Sequence, residues 1–504
     1  MAQLRQLTPR EVLFVGGENS RVYQHTAGLT LLDASMTPGF CYEFFRQHLE
    51  QRLSSIPHFR WKLHEVALGL DLPYWVEDEN FSFDHHIRRI AVPAPGDEKA
   101  LAEVVSYLYC RHLDRNRPLW ETWFIEGLAD GQYALVQKLH HCMMDGEGAS
   151  KLSAAMCDLE PDAAPREVPP AIAEARPGPV PEPWRENLNT ALHLSRLPMN
   201  IGRELADAVR KGASSLLRSE KRVGKPATPM AVFNGNIGRS RGFVFGSLRL
   251  AEVKAIKNHF GVTLNDVVLA LVGGALRTYL LSRDALPAQS LRTSMPVSMR
   301  TDEDEEFSNR VTDVNVTLAT HLADPVQRLR AIAGESASVK QEARAGGKGL
   351  MDIVQIMPPG LVSVMLNFMP VEQIAKAMGI NLVVSNVRGV SQPMYIGGAR
   401  MTAMYPMSII FPGSGINVTC ISYADNFHFG ITIDPELVPN PWLLIDALHD
   451  GLKDYLSLMQ KKGTTGRKKA PSPKVAVKPA ASRARRGSAR RSAGRPGDRT
   501  ASRS

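Results

Sequence analysis

The stretch KLHHCMMDGEGAS, residues 138–150, decides how this chain is read. It follows QYALVQKL (132–139), whose alternation puts Tyr133, Leu135 and Gln137 on one face of a strand and Ala134, Val136 and Lys138 on the other. Beyond it, Ala149, Leu152, Ala155, Met156 and Leu159 recur at helical spacing, so the motif is expected on a strand-to-helix turn. Adjacent side chains at a strand end point to opposite faces, so one of His140 and His141 should face a cleft while the other packs. Asp145 is close enough to His141 for a tight turn to bring its carboxylate under the imidazole turn, and Gly146 frees the backbone to start a helix there. A core histidine pair with a helix-capping aspartate accounts for the same residues, and both readings stand at this level.

A histidine suits proton removal from an alcohol near neutral pH. Full deprotonation of a hydroxyl at pH 7 costs on the order of 12 kcal/mol, so removal must be concerted with attack on an activated acyl group such as a thioester. Other chemistries fit less well. The chain has no GxSxG, GxxxxGK[ST] or GxGxxG signature in the required setting. A metal is not expected, because the only other histidine pair, His85–His86, lacks a following Asp-Gly and further ligands. Cys142 reads as a buried thiol.

The net charge of +9 over 504 residues is unevenly placed. Residues 461–504 hold 15 Lys or Arg against one Asp, or +14, which leaves −5 for the rest (9 minus 14). The tail has almost no large apolar residue and is expected to be disordered. The five cysteines, scattered and odd in number, argue against a disulfide framework and for a cytoplasmic setting. MAQLRQLTPREVLF lacks a secretory h-region. Residues 353–371, IVQIMPPGLVSVMLNFMPV, reach a spanning length but are broken by Pro358, Pro359, Gly360 and Pro370, so they read as core or an interfacial surface.

Proline-rich EPDAAPREVPPAIAEARPGPVPEPW (160–184) reads as a linker. The expected organisation is an α/β (α+β) fold: a first domain over 1–158 carrying the motif, a linker over 159–190, a second domain over 191–460 and the basic tail over 461–504. Residues 186–220 look helical and amphipathic, and 261–280 form the clearest helix, with Thr263 and Asp266 in capping-box spacing. Segments 314–322, 381–387, 416–423 and 427–433 read as strands.

HHCMMDG has the form HHxxxDG, and the chain resembles the bacterial wax ester synthase/acyl-CoA:diacylglycerol acyltransferase family. The likeness also runs through LTPREVLFVGGEN, RPLWETWFIEGL, LNDVVLALVGGALRTYL, PVSMR, VVSNVRGV and INVTCISYADNFHFGITID, roughly residues 5–458. It implies two chloramphenicol-acetyltransferase-like domains forming a pseudo-dimer with a cleft between them. It also implies that His141 is the general base, reached by acyl-CoA and by diacylglycerol or a long-chain alcohol, with no covalent intermediate and no cofactor beyond the acyl-CoA co-substrate. His140 and Asp145 match the first histidine and the structural aspartate. Pro118, Leu119 and Trp120 match a PLW motif, read as packing near the cleft. Asn265 and Asp266 match an Asn-Asp motif, read as scaffold. SNVRGV departs from the SNVPGP of many relatives, and Ser308 replaces a common glycine, which puts the acceptor preference in question. Competing readings are a condensation-type acyltransferase and a non-catalytic protein acting through its tail. Without interleaved aromatics the tail is not expected to read nucleic acid specifically. It either tethers the protein peripherally to an anionic membrane or lipid-droplet surface on the cytoplasmic side, or is merely solvated.

Overall fold

A computed structural model describes residues 4–8, 11–143, 156–162, 176–217, 228–298, 311–344 and 357–465. In chain order its strands are β1 (His25–Asp33), β2 (Trp61–His64), β3 (Tyr74–Glu77), β4 (Ile87–Ala91), β5 (Trp120–Glu126), β6 (Tyr133–His140), β7 (Gly242–Arg249), β8 (Arg292–Ser298), β9 (Val311–Thr317), β10 (Leu382–Val387), β11 (Tyr395–Ile396), β12 (Ala399–Met407), β13 (Ile416–Tyr423) and β14 (Asn426–Ile433). The helices are α1 (Val12–Gly17), α2 (Tyr42–Ser54), α3 (Glu98–Tyr109), α4 (Pro183–Leu217), α5 (Leu250–Phe260), α6 (Leu264–Leu281), α7 (Pro325–Arg344), α8 (Pro359–Phe368), α9 (Val371–Met378) and α10 (Trp442–Thr465).

Two six-stranded sheets carry the fold, one ordered β11-β12-β1-β6-β5-β4 and the other β7-β14-β13-β10-β8-β9, beside a β2-β3 hairpin. Strand β6 lies inside the first sheet between β1 and β5, and its alternation sorts its two faces as the sequence suggests. Leu135 packs with Phe45 and Leu49 of α2, and Ala134 and Val136 pack with Leu101 and Val105 of α3. Both faces are thus covered, which fixes the end of β6 rigidly.

The second sheet is built around α6. Thr263 and Asp266 close its N-terminus as a capping box, and Val267 to Val272 are buried. This helix is long and apolar enough to cross a membrane, but 67% of it is buried in the protein, as in a core helix. The 353–371 stretch is interrupted as its prolines require: α8 ends at Phe368, and Pro370 caps α9.

The two halves of the chain share the first sheet. Strands β11 and β12 come from the second half of the chain, yet β12 pairs with β1 from Ala27↔Met407 to Asp33↔Arg400, inside the first sheet. The sheets meet where β12 crosses β14, and a side chain at Gly430 would collide with the Pro406 carbonyl. The described residues up to Gln460 fall within one unit. The expected division between 1–158 and 191–460 is therefore not one between separately packed bodies. Part of the expected linker is also structured. Helix α4 starts at Pro183, Val76 bridges Gly178, and Asp158 bridges Tyr395 beside a buried Arg52–Asp158 ion pair at 2.6 Å.

Candidate active site

The motif histidines sit where β6 runs into a single 3₁₀ turn, His141–Met143. Two main-chain bonds place them: the His140 N–H donates to the Leu119 carbonyl at 2.9 Å, and the His141 N–H to the Gln24 carbonyl at 2.8 Å. Leu119 is the middle residue of PLW, so that motif holds the strand end that carries the histidines. Pro118, Leu119 and Trp120 are all buried. The Trp120 indole stacks on His86 and donates to the Phe59 carbonyl at 2.9 Å.

His140 and His141 face different surroundings. His140 is fully buried, and its Nδ1 accepts from the Cys142 N–H at 3.2 Å with the Cys142 thiol at 2.9 Å. Its Nε2 lies 3.6 Å from a Glu18 carboxylate oxygen. Burial alone would raise the Glu18 carboxyl, but hydrogen bonds from His112 and His140 and the nearby Arg115 charge hold it far below the usual range. Glu18 thus faces an arc of His112, Arg115 and His140.

His141 is only partly enclosed. Its ring lies flat on Phe14 of α1, centroids 3.9 Å apart and planes 9° from parallel. Its Nδ1 is buried with no hydrogen-bond partner among the described residues. Burial lowers its pKa to about 4; its own main-chain group favours the protonated ring to a smaller extent, and His140 opposes it. The ring is therefore a neutral imidazole across the physiological range, able to accept a proton at once.

Asp145 and Gly146 lie outside the described residues, as do the expected helix start after them and Ser308. Asp266 serves its cap, accepting from the Thr263 N–H at 2.9 Å. Asn265 does more than the scaffold reading expects. Its side-chain oxygen accepts from Asn386 at 3.3 Å, and its amide touches the Met295 sulfur, so the Asn-Asp motif is tied to the SNVRGV segment and to β8. No contact among the described residues joins Asn265 or Asp266 to His141.

Sequence reasoning missed Phe14, Glu18 and Lys138. The first two lie in LTPREVLFVGGEN, more than 120 residues before the motif. Lys138 is fully buried two residues before His140 and donates to the Leu108 and Arg111 carbonyls at 3.0 and 2.6 Å at the end of α3. Burial lowers its pKa to about 8. Among the described residues no group of three His, Cys, Asp or Glu side chains is placed to hold a metal ion.

At the end of an internal strand, a fully buried histidine with Nε2 3.6 Å from a carboxylate thus stands beside a neutral one, in a sequence of the form HHxxxDG. The chain belongs to the wax ester synthase/diacylglycerol acyltransferase family: that family's catalytic domain matches residues 7–268 and its C-terminal domain residues 307–455. A Mycobacterium tuberculosis protein named as a diacylglycerol O-acyltransferase is 33% identical over 470 residues, covering 90% of this chain and 91% of that one. A Mycobacterium bovis protein so named is 34% identical over 460 residues, covering 89% and 98%. Among solved structures, the wax ester synthase/diacylglycerol acyltransferase of Marinobacter aquaeolei is similar, with a TM-score of 0.66, 28% identity and coverage of 90% of this chain and all of that one. The first condensation domain of the CDA synthetase shares the fold at a TM-score of 0.52 and 13% identity, with coverage of 91% and 96%. The chain is thus an acyltransferase with the α/β fold expected of it.

Proposed function

We propose that this enzyme moves a fatty acyl group from acyl-CoA to the hydroxyl of diacylglycerol or a long-chain alcohol, with His141 as general base and no covalent acyl-enzyme. The observation that supports this reading is the contrast between the two histidines, His140 fully buried beside Cys142 and Glu18, and His141 part-exposed, stacked on Phe14 and neutral. In the reaction the hydroxyl proton passes to His141 as the oxygen bonds to the thioester carbon. The C–S bond then breaks, and the departing thiolate takes the proton. General-base assistance of ~10²–10⁴-fold adds to the larger gain from holding both substrates together. His140 acts as a positioning residue. PLW, Asn265 and Asp266 hold the surrounding scaffold, and acyl-CoA is a co-substrate rather than a resident cofactor.

The test is His141→Ala. Ester formation from labelled acyl-CoA should vanish while circular dichroism and melting stay those of the wild type. Retained activity would end the proposal. Supplying hexadecanol and diacylglycerol in competition, with the lipid products separated, identifies the acceptor. In the same reading the enzyme works at the cytoplasmic face of a membrane, where the +14 tail adds ~1 kcal/mol of attraction per basic residue close to an anionic surface.

A further inference from the structure

A helix on the surface of a protein ordinarily turns its apolar stripe inward and its polar side to water. Helix α4 does the reverse over its first turns. Its polar residues bind the body of the protein: Glu186 to His64 at 2.8 Å, Asn189 to the Tyr74 hydroxyl at 3.2 Å, and His193 to the buried Asp71 at 2.7 Å. Trp184, Leu188 and Leu192 are exposed by 61, 51 and 42%. At about 100° per residue the two sets centre roughly 130° apart around the helix. Arg196 and Arg203, both exposed, fall along one edge of the apolar stripe.

The apolar surface continues beyond α4. Asp71, which holds His193, sits in the loop that carries Leu68. That leucine is 86% exposed and has a φ of 56°, so it stays in water in a backbone conformation that leucine avoids. The same loop lies against α8: a side chain on Gly69 would come within 2.8 Å of the Gly360 nitrogen, and Leu72 packs on Val362. Helix α8 has no charged residue and leaves Val364 and Phe368 55 and 82% exposed. Its inner side touches α1, where Gly16 meets Pro359, and Asn19 donates to Asn367 at 2.9 Å. Helix α1 carries Phe14, the ring stacked on His141.

We propose that the outer side of α4, the Leu68 loop and α8 together form a docking surface for an anionic phospholipid bilayer. Apolar side chains on three adjoining elements enter the acyl boundary, while the arginines bordering α4 meet lipid phosphates, the charge arrangement of an interfacial helix. Docking through α8 sets the bilayer one helix away from the wall of His141, so a lipid acceptor reaches the site without crossing water. That consequence rests on the proposed acyl transfer; the docking itself does not.

The test uses the full-length protein and vesicles of phosphatidylcholine with about 30 mol % phosphatidylglycerol, at about 0.5 M NaCl to screen the basic tail. Leu188→Glu with Leu192→Glu on α4, and separately Phe368→Glu on α8, should each lower the partition coefficient about tenfold or more. Melting temperatures should be unchanged, since these side chains are exposed; if the double variant fails to fold, Phe368→Glu decides. Unaltered partitioning of a folded variant overturns the proposal. So does a wild-type dimer in light scattering that the variants convert to monomer, because a second copy would then be what covers the surface. Transfer from acyl-CoA to the water-soluble butanol, assayed in parallel, should be the same in all variants. Vesicle binding without any transfer by the wild type would sink the reaction while leaving the surface intact.

Discussion

The proton affinity of His141 gives the sharpest quantitative handle on this enzyme. Burial against Phe14 lowers the imidazole pKa from 6.5 to about 4, a shift of roughly 2.5 units that disfavours the imidazolium by about 3.4 kcal/mol at 1.36 kcal/mol per unit. The folded value is the depressed one, so the base is lost only as pH falls through about 4 rather than through 6.5. At pH 5.5 a group of pKa 4 remains about 97% neutral, whereas an ordinary histidine is about 9% neutral. The acid limb of kcat/KM, which reports the free enzyme, should therefore leave activity at pH 5.5 within about a tenth of the plateau, against a roughly tenfold loss for an unshifted base. Phe14→Ala removes the ring that walls the imidazole and should move that limb upward by about one unit. The assay is a pH series of kcat/KM with a slowly turned over alcohol, with circular dichroism confirming the fold at each pH. A wild-type limb at 6 to 7, or a limb that Phe14→Ala leaves in place, refutes the reasoning.

Two further substitutions probe the supports. Arg52→Met leaves the Asp158 carboxylate buried without its 2.6 Å partner and should cost about 3–5 kcal/mol in urea unfolding; a change below 1 kcal/mol would mean the pair is not a significant tie. Glu18→Leu removes the acceptor facing His140, His112 and Arg115, and should destabilise by about 2–4 kcal/mol and lower kcat more than it raises KM. Unchanged stability together with unchanged kcat would remove Glu18 from the support of the site.

Short-range patterns carried much of this fold. The alternation of β6, the capping box of α6 and the β-branched runs of β10, β13 and β14 each resolve within about ten residues, where sequence period and burial agree. His140 ends β6 while His141 already belongs to the 3₁₀ turn, so strand alternation alone does not set their different surroundings. What escaped depends on distant partners. Phe14 and Glu18 reach the motif only because α1 folds back across the end of β6. Alternation places Lys138 on the face of Ala134 and Val136, but the two carbonyls that take up its ammonium come from the end of α3 and the residues just after it. Strand β9 runs over Val311–Thr317 rather than 314–322, because Ala319 turns into the left-handed region at φ 48° and ends the extended run. The proline-rich segment misled in one respect: proline halts a helix but also starts one, and Pro183 does the latter for α4.

The pairing of β12 with β1 makes the protein an interlocked object. A fragment ending near residue 158 would expose the flank of β1 that β12 covers, seven residues from Ala27 to Asp33, and such an edge recruits other chains. The complementary fragment would carry β12 with no sheet to join. Each piece is therefore the other's chaperone: the two should accumulate in soluble form only when made together, and during synthesis the first sheet must wait for a strand some 260 residues further along the chain.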